Sequence, residues 1–221
     1  MSERTTEEYV EAIGALEERE NPVSTSSIAH ALGLSLTSVS EMLQRLSKKG
    51  LVEYTPYGGA ILTEEGRSRF FRLTRRHRLW EVFLNRYLEI GWEDVYEHAC
   101  SLEHCTSDLV TEKLDKFLGS PEFCPHGSYI PRSDFKMPRV SDIPLVDLEV
   151  GQVGKISRTV IESNSEFLRY LTSLGLLPGM EVEILDIAPF DGPLTIEANN
   201  STRAIGRETA SLIMVEPIQN H

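Results

Sequence analysis

Cys100, Glu103 and His104 stand at i, i+3 and i+4. On a helix this spacing sets a thiolate, a carboxylate and an imidazole on one face, a turn apart. These three side-chain types are common protein ligands for divalent transition metals. The plain alternative is one buried cysteine beside two solvated polar residues. His98 lies about 200° around such a helix from Cys100, and Cys105 is similarly rotated, so neither is read as a ligand of this site.

Other segments carry residues of the same chemistry. His77 and Glu81 are at i, i+4 and can share one metal-facing side of a helix. Their neighbours Arg75, Arg76 and Arg78 equally suit a solvated basic stretch. Cys124-Pro125-His126-Gly127 places a thiolate and an imidazole two residues apart in a Pro/Gly-rich segment, 119–144. From a rigid turn both can reach one metal; as an ordinary loop, the segment would bury its cysteine alone. Glu8 and Glu11, at i, i+3 near the start of the chain, are otherwise two surface glutamates, the commoner fate of that residue.

The elements that must position these groups are legible in order. Tyr9, Ile13 and Leu16 repeat at helical spacing within Glu7–Arg19, with Thr5 or Thr6 as cap and Pro22 ending the region. Ser24 or Thr25 caps a second helix, Ser26–Leu32. Gly33-Leu34-Ser35 is a tight turn, and Thr37–Lys49 is a third helix with Val39, Met42, Leu43 and Leu46 inward. Short helix, glycine-containing turn and longer helix make a helix-turn-helix. The third helix offers Thr37, Ser38, Ser40, Glu41, Gln44 and Arg45 outward, groups suited to phosphates and base edges. Leu51–Tyr54 and Ala60–Leu62, joined through Pro56-Tyr57-Gly58-Gly59, read as a hairpin wing. Thr63 caps a long helix through Tyr87. Gly91 breaks the chain, and Glu93–Leu118 is expected as one further helix. From Ser141 the pattern becomes β-rich, with strands at Gln152–Arg158, Glu181–Ile187, Leu194–Ala198 and Leu212–Glu216. A short helix spans Glu166–Leu174, and Asp191-Gly192 and Asn199-Asn200 mark turns. Short strands with close turns imply a small β-barrel.

Composition sets the frame. The 221 residues, 40% apolar and 25% charged, describe a globular protein with one large or several small domains. No apolar run reaches the length of a membrane span, and residues Met1–Glu8 are polar, so a cytoplasmic protein is expected. The three cysteines cannot all pair, and ligand or buried-thiol roles suit them there. A net charge of −12 argues against general coating of nucleic acid. The charge is uneven, however. Ser24–Arg76 holds eight Lys/Arg against four Glu, and the segment from Ser141 holds twelve acids against five bases. A basic N-terminal third on an acidic chain fits a local DNA-binding module.

Four segments taken together resemble the diphtheria-toxin-repressor family of iron- and manganese-dependent transcriptional repressors. TTEEYVEAI (5–13) is similar to the family's first-helix metal segment, and RRHRLWEVFL (75–84) to its fourth-helix ligand segment. CSLEHCTSD (100–108) is similar to its central ligand motif, and LTSLGLLPGMEVEIL (171–185) to its C-terminal barrel. The resemblance spans nearly the whole chain. It implies an α+β, mainly α fold in three parts: a winged helix-turn-helix at 1–72, a helical dimerisation and metal-binding domain at 73–140, and an SH3-like barrel at 141–221.

The resemblance also implies roles. A first metal site would use Glu8, Glu11, His77, Cys100, Glu103 and His104. A second would use Glu81, Cys124 and His126, with Glu162 or Glu166 from the barrel. Acidic first-helix ligands belong to the manganese-type pattern and Cys100 to the iron-type, so Mn(II) or Fe(II) is expected. Tyr96 occupies the position where iron-type members carry an extra histidine, which favours the Cys-Pro-His version of the second site. Ser35, Thr37, Ser38 and Ser40 would face bases, while Arg45, Lys48, Lys49 and the wing with Tyr57 would face phosphates. The implied partners are a palindromic double-stranded operator and a second copy of the chain. Two rival classes remain: a metalloenzyme with an open-site metal, for which no general-base motif is present, and a thiol-based redox sensor using Cys100, Cys105 and Cys124.

Overall fold

The computed structural model describes residues 3–17, 19–132 and 141–218; the domain boundary expected at residue 140 lies outside them. The chain divides into two compact units. One comprises the described residues of Met1–Arg76, Glu103–Thr106 and Pro131–Lys136; the other comprises those of His77–Leu102, Ser107–Ile130 and Met137–His221.

The first unit is a winged helix. Its helices are α1 (Glu3–Leu16), α2 (Thr25–Leu32), α3 (Leu36–Lys48) and the start of α4 (Glu64–Leu88). Ser24 and Ser35 are the N-caps of α2 and α3, each accepting from the backbone N–H three residues on, which satisfies a donor the helix leaves open. The turn between these helices needs a left-handed residue, and Gly33 supplies it at φ 65°. The wing is β1 (Val52–Thr55) paired antiparallel with β2 (Gly59–Leu62), Val52 opposite Leu62. Tyr57 sits at its tip with φ 64°. The thirteen-residue α3 buries Val39, Met42, Leu43 and Leu46 against Val10, Ile13, Ile28 and Leu62. Gly14 brings α1 close to α4: a Cβ there would lie 2.5 Å from the Phe70 ring.

The second unit joins the rest of α4 to α5 (Val95–Glu103), α6 (Asp108–Phe117) and an antiparallel sheet. The sequence pattern implied one helix over Glu93–Leu118, but there are two. Thr106 N–H turns back to the Glu103 carbonyl, and Ser107 caps α6 by accepting from Val110 N–H. Ser107-Asp108 is an N-terminal signal inside an apolar periodicity that continues across it. His104 therefore lies in the turn just beyond α5.

The sheet has the order β3-β8-β4-β5-β6-β7. Its strands are β3 (Ile143–Pro144), β4 (Val153–Thr159), β5 (Glu181–Ile187), β6 (Leu194–Ala198), β7 (Ser201–Ile205) and β8 (Ile213–Ile218). Register shifts at Ile156/Arg158 and Ile184/Asp186 mark bulges, which bend a sheet. The helix α7 (Ser165–Leu174) adds Leu171 to the sheet's core, and the short α8 (Arg207–Ser211) adds Ala210. The fold is thus α+β, with helices in the first half and an SH3-like sheet domain at the end. β3, β7 and α8 are additions to the sequence reading. β7 sits at the sheet edge and is mostly exposed, so it lacks an apolar run that would announce it.

Within this unit the helices and sheet are fastened together. Trp92 packs against the sheet core and donates through Nε1 to Thr172 Oγ1 at 2.8 Å. Arg169 pairs with Asp94. Gly127 passes so close to β4 that a Cβ would lie 1.8 Å from the Ser157 carbonyl oxygen.

Candidate metal centre

Two groups of ligand-type side chains are formed among the described residues. Cys100, Glu103 and His104 offer atoms that all lie within 4.8 Å of one another, and so do Glu81, Cys124 and His126.

The first group is built on the last turn of α5 and the residue after it. Glu103 is buried, and the His104 side chain is only 6% exposed. His104 Nδ1 meets Glu7 Oε2 of α1 at 2.8 Å. Its other nitrogen, Nε2, faces Glu103 Oε1 at 3.4 Å, is buried, and has no hydrogen-bond partner. An imidazole that donates Nδ1–H to a carboxylate presents Nε2 as a lone pair, the arrangement of a metal-ligating histidine. Glu7 of the first helix thus touches this group. Glu8 forms a surface ion pair with Arg4 at 3.1 Å, and Glu11 is half-buried. Glu7 was not singled out from the sequence. The available signal was its i, i+4 relation to both Glu3 and Glu11.

The second group lies wholly in the second unit. The Glu81 and His126 side chains are fully buried, and Cys124 is nearly so. His126 Nε2 donates to the Trp92 carbonyl at 2.7 Å, which directs Nδ1 inward, 3.1 Å from Glu81 Oε1 and 4.0 Å from Cys124 Sγ. His77 Nε2 approaches the same Glu81 oxygen at 3.2 Å. His77 is also stacked at a tilt on Tyr96, ring centroids 4.6 Å apart. The remaining oxygen, Glu81 Oε2, is buried without a hydrogen-bond partner. Glu162 hydrogen-bonds to Ser128 and lies 3.6 Å from Arg78, while Glu166 is exposed on the first turn of α7.

The electrostatics follow from burial around one carboxylate. Burial works to raise the Glu81 pKa, but the charge on His77 and hydrogen bonds from His126 and His77 outweigh it and hold the carboxyl well below the usual range. Burial works to lower His126, yet the Glu81 carboxylate prevails and raises it. Burial pushes the Cys124 thiol well up, and Glu81 and Glu162 add to this against Arg78. With only protons available, an ionised Glu81 keeps two histidines beside it and leaves an oxygen unsatisfied. That is an expensive arrangement in an interior unless a cation completes it. The donor sets, one thiolate, one carboxylate and one imidazole in each group, fit a divalent transition ion.

The sequence-expected residues therefore fall as follows. Cys100, Glu103 and His104 come together. Glu81, Cys124 and His126 come together, with His77 reaching Glu81 of this second group. His98 and Cys105 are exposed. On the DNA side, Thr37, Ser38, Arg45, Lys48, Lys49 and Tyr57 are exposed and Ser40 is half-buried. The Ser35 hydroxyl is engaged as the α3 cap.

Three family models cover the chain. Residues 1–60 match the iron dependent repressor N-terminal DNA binding domain, 63–132 the iron dependent repressor metal binding and dimerisation domain, and 143–217 the FeoA domain. Among solved structures, a manganese-dependent transcriptional repressor in complex with manganese superposes with a TM-score of 0.89 at 30% identity, covering 96% of this chain and 99% of that one. The manganese regulator SloR superposes with a TM-score of 0.78 at 34% identity, covering 95% and 97%. The iron-dependent repressor IdeR of Mycobacterium tuberculosis is 26% identical over 97% of each chain. The diphtheria toxin repressor of Corynebacterium glutamicum is 29% identical over 97% of each. The chain belongs to the iron-dependent repressor family.

Proposed function

We propose that this protein is a metal-activated transcriptional repressor, which binds a palindromic operator as a homodimer in the cytoplasm when Mn(II) or Fe(II) is plentiful. One observation carries the reading. In a chain with a winged helix, the His104 side chain, only 6% exposed, meets a carboxylate of the first helix and turns a nitrogen without a hydrogen-bond partner toward Cys100 and Glu103.

A bound divalent ion would supply the positive charge that offsets the carboxylates gathered in each group. Cys100, Glu103 and His104 would hold it at the first site. The family resemblance adds Glu8, Glu11 and His77, and Glu7 orients His104. At the second site Glu81, Cys124 and His126 would hold it, with Glu162 nearer than Glu166. His104 kept as a metal ligand must donate Nδ1–H to Glu7, which fastens α1. Since α1 packs on the helix-turn-helix core through Val10 and Ile13, fixing it favours one placement of α3.

The second copy has a natural place. Phe83, Tyr87 and Phe117 form an aromatic stack with centroids 5.0–6.2 Å apart, and Tyr87, Leu88, Leu109 and Phe117 are exposed. Exposed rings gathered in this way suit an interface, and two-fold pairing would match two half-sites on DNA. Phosphate contacts would come from Arg45, Lys48, Lys49 and Tyr57.

The test is DNA binding by apo-protein, titrated anaerobically with Mn(II), Fe(II), Co(II) and Zn(II) on selected duplexes. Steep activation by Mn(II) or Fe(II) is expected. Binding that ignores every metal would refute the reading.

A further inference from the structure

The first turn of α3 is the part of a helix-turn-helix that meets base edges in the major groove. Two of its hydroxyls, those of Ser35 and Ser38, are tied to each other here. Ser35 Oγ accepts from Ser38 N–H at 3.2 Å and lies 2.9 Å from Ser38 Oγ, so the two hydroxyls bond to each other. The large outward side chain of that turn is Leu36, 56% exposed, and Leu34 on the other side of Ser35 is 45% exposed. Neither belongs to the core around Val39, Leu43 and Leu46. A single exposed leucine is ordinary on a protein surface. A pair flanking the N-cap of the groove-entering helix lies where water would be expelled on binding.

In the major groove the apolar feature of a base pair is the thymine C5-methyl. Resting on the DNA-binding function proposed above, we propose that Leu36 is a sequence-reading residue that packs against thymine methyl groups, so that the operator half-site carries thymine beneath the start of α3. Ser35 and Ser38 then act through the cap that aims Leu36, and Thr37 supplies the hydrogen-bonding neighbour. Leucine has no donor or acceptor, so it reads the methyl and tolerates the rest of the base edge.

The experiment starts by selecting duplexes from a random library with Mn(II)-loaded wild-type protein. Each half-site thymine is then replaced by deoxyuridine, which removes the methyl and keeps every hydrogen-bonding group. Affinity is measured for wild type, Leu36→Ala and Leu36→Met. Leu36 is exposed, so both variants should keep the wild-type fold, checked by their metal binding and circular dichroism. The expected result is that uracil at one thymine weakens wild type by about three- to tenfold per half-site. Leu36→Met should keep most of that sensitivity, and Leu36→Ala should lose it. Wild type indifferent to uracil at every position, or Leu36→Ala as sensitive as wild type, overturns the assignment. No metal-stimulated complex of wild type with any duplex would instead overturn the DNA-binding function on which it rests.

Discussion

His104 Nδ1 and Glu7 Oε2 are 2.8 Å apart although 97 residues separate them in the chain. This contact joins the first helix to the residue that follows α5. It sets which imidazole nitrogen is free, and the free one, Nε2, is buried without a hydrogen-bond partner.

Replacing Glu7 by Ala should therefore weaken metal binding without removing a ligand. Loss of a carboxylate that orients a metal-bound histidine typically costs about 10–100-fold in affinity. The metal concentration giving half-maximal DNA binding should rise by that factor. The ligand-field spectrum of the Co(II) form should stay close to wild type, since the donor atoms are unchanged. Glu8→Ala is the informative companion: a directly bound carboxylate would change that spectrum when removed. Unaltered affinity in Glu7→Ala would show that the contact does not serve the metal.

Glu81 sits between His77 and His126 with both approaches to one oxygen, and it is fully buried. Glu81→Ala leaves those histidines without their counter-charge. Breaking a buried ion pair at one partner costs about 3–5 kcal/mol, which is a large share of a domain's stability. Urea denaturation of the apo-protein should show this loss in the transition of the second unit. Saturating metal should stabilise wild type further, by about 4 kcal/mol at a thousandfold excess over Kd, and the variant much less. Equal metal stabilisation of both proteins would remove Glu81 from the site.

Much of this arrangement was visible before any coordinates. The helix-turn-helix was readable because Val39, Met42, Leu43 and Leu46 repeat at helical spacing and Gly33 marks the turn. Cys124 and His126 were readable as a pair because a Pro/Gly-rich turn sets a thiol and an imidazole two residues apart, whereas Glu81 joined them only through the family resemblance. The break between α5 and α6 was hidden, because Leu102, Leu109 and Leu114 continue an apolar pattern across Ser107. The role of Glu7 was hidden for a different cause. Glu7, Glu8 and Glu11 are chemically alike, and which one faces His104 depends on how α1 is rotated in the folded chain, where Glu7 makes the contact.

A pH effect on stability follows from Glu20, remote from both ligand groups in sequence. Its carboxylate accepts from the Ser27 hydroxyl and from Ser24 N–H, and these bonds hold its pKa below the ordinary value of 4.5. A carboxyl with a depressed folded-state pKa contributes stability above its unfolded value, and loses it as pH falls through the folded value. Glu20→Gln should lower stability at neutral pH and flatten the acid limb of the profile, while leaving its slope unchanged above pH ~6. Chemical denaturation of both proteins across the acid range measures this. Parallel curves for the two would mean that the Ser24 and Ser27 bonds do not favour the ionised form.

The aromatic stack of Phe83, Tyr87 and Phe117 supplies the last test. Phe117 is 59% exposed and lies 5.0 Å from Tyr87 and 6.2 Å from Phe83, centroid to centroid, so its ring has partners on one side and still presents surface to water. Burying such a ring against a second copy contributes about 1.5–3 kcal/mol per side chain, and in a two-fold interface each substitution acts twice. Phe117→Glu places a charge on that surface, where burial without a partner is costly. The variant should sediment as a monomer at concentrations where wild type is dimeric. A monomer offers one recognition helix, so its metal-stimulated affinity for a palindromic duplex should fall by far more than the loss of one phosphate contact would cause. Its affinity for metal at Glu81, Cys124 and His126, all within one chain, should be unchanged. A variant that remains a dimer would place the interface elsewhere, and a monomeric variant with full operator affinity would separate DNA binding from dimerisation.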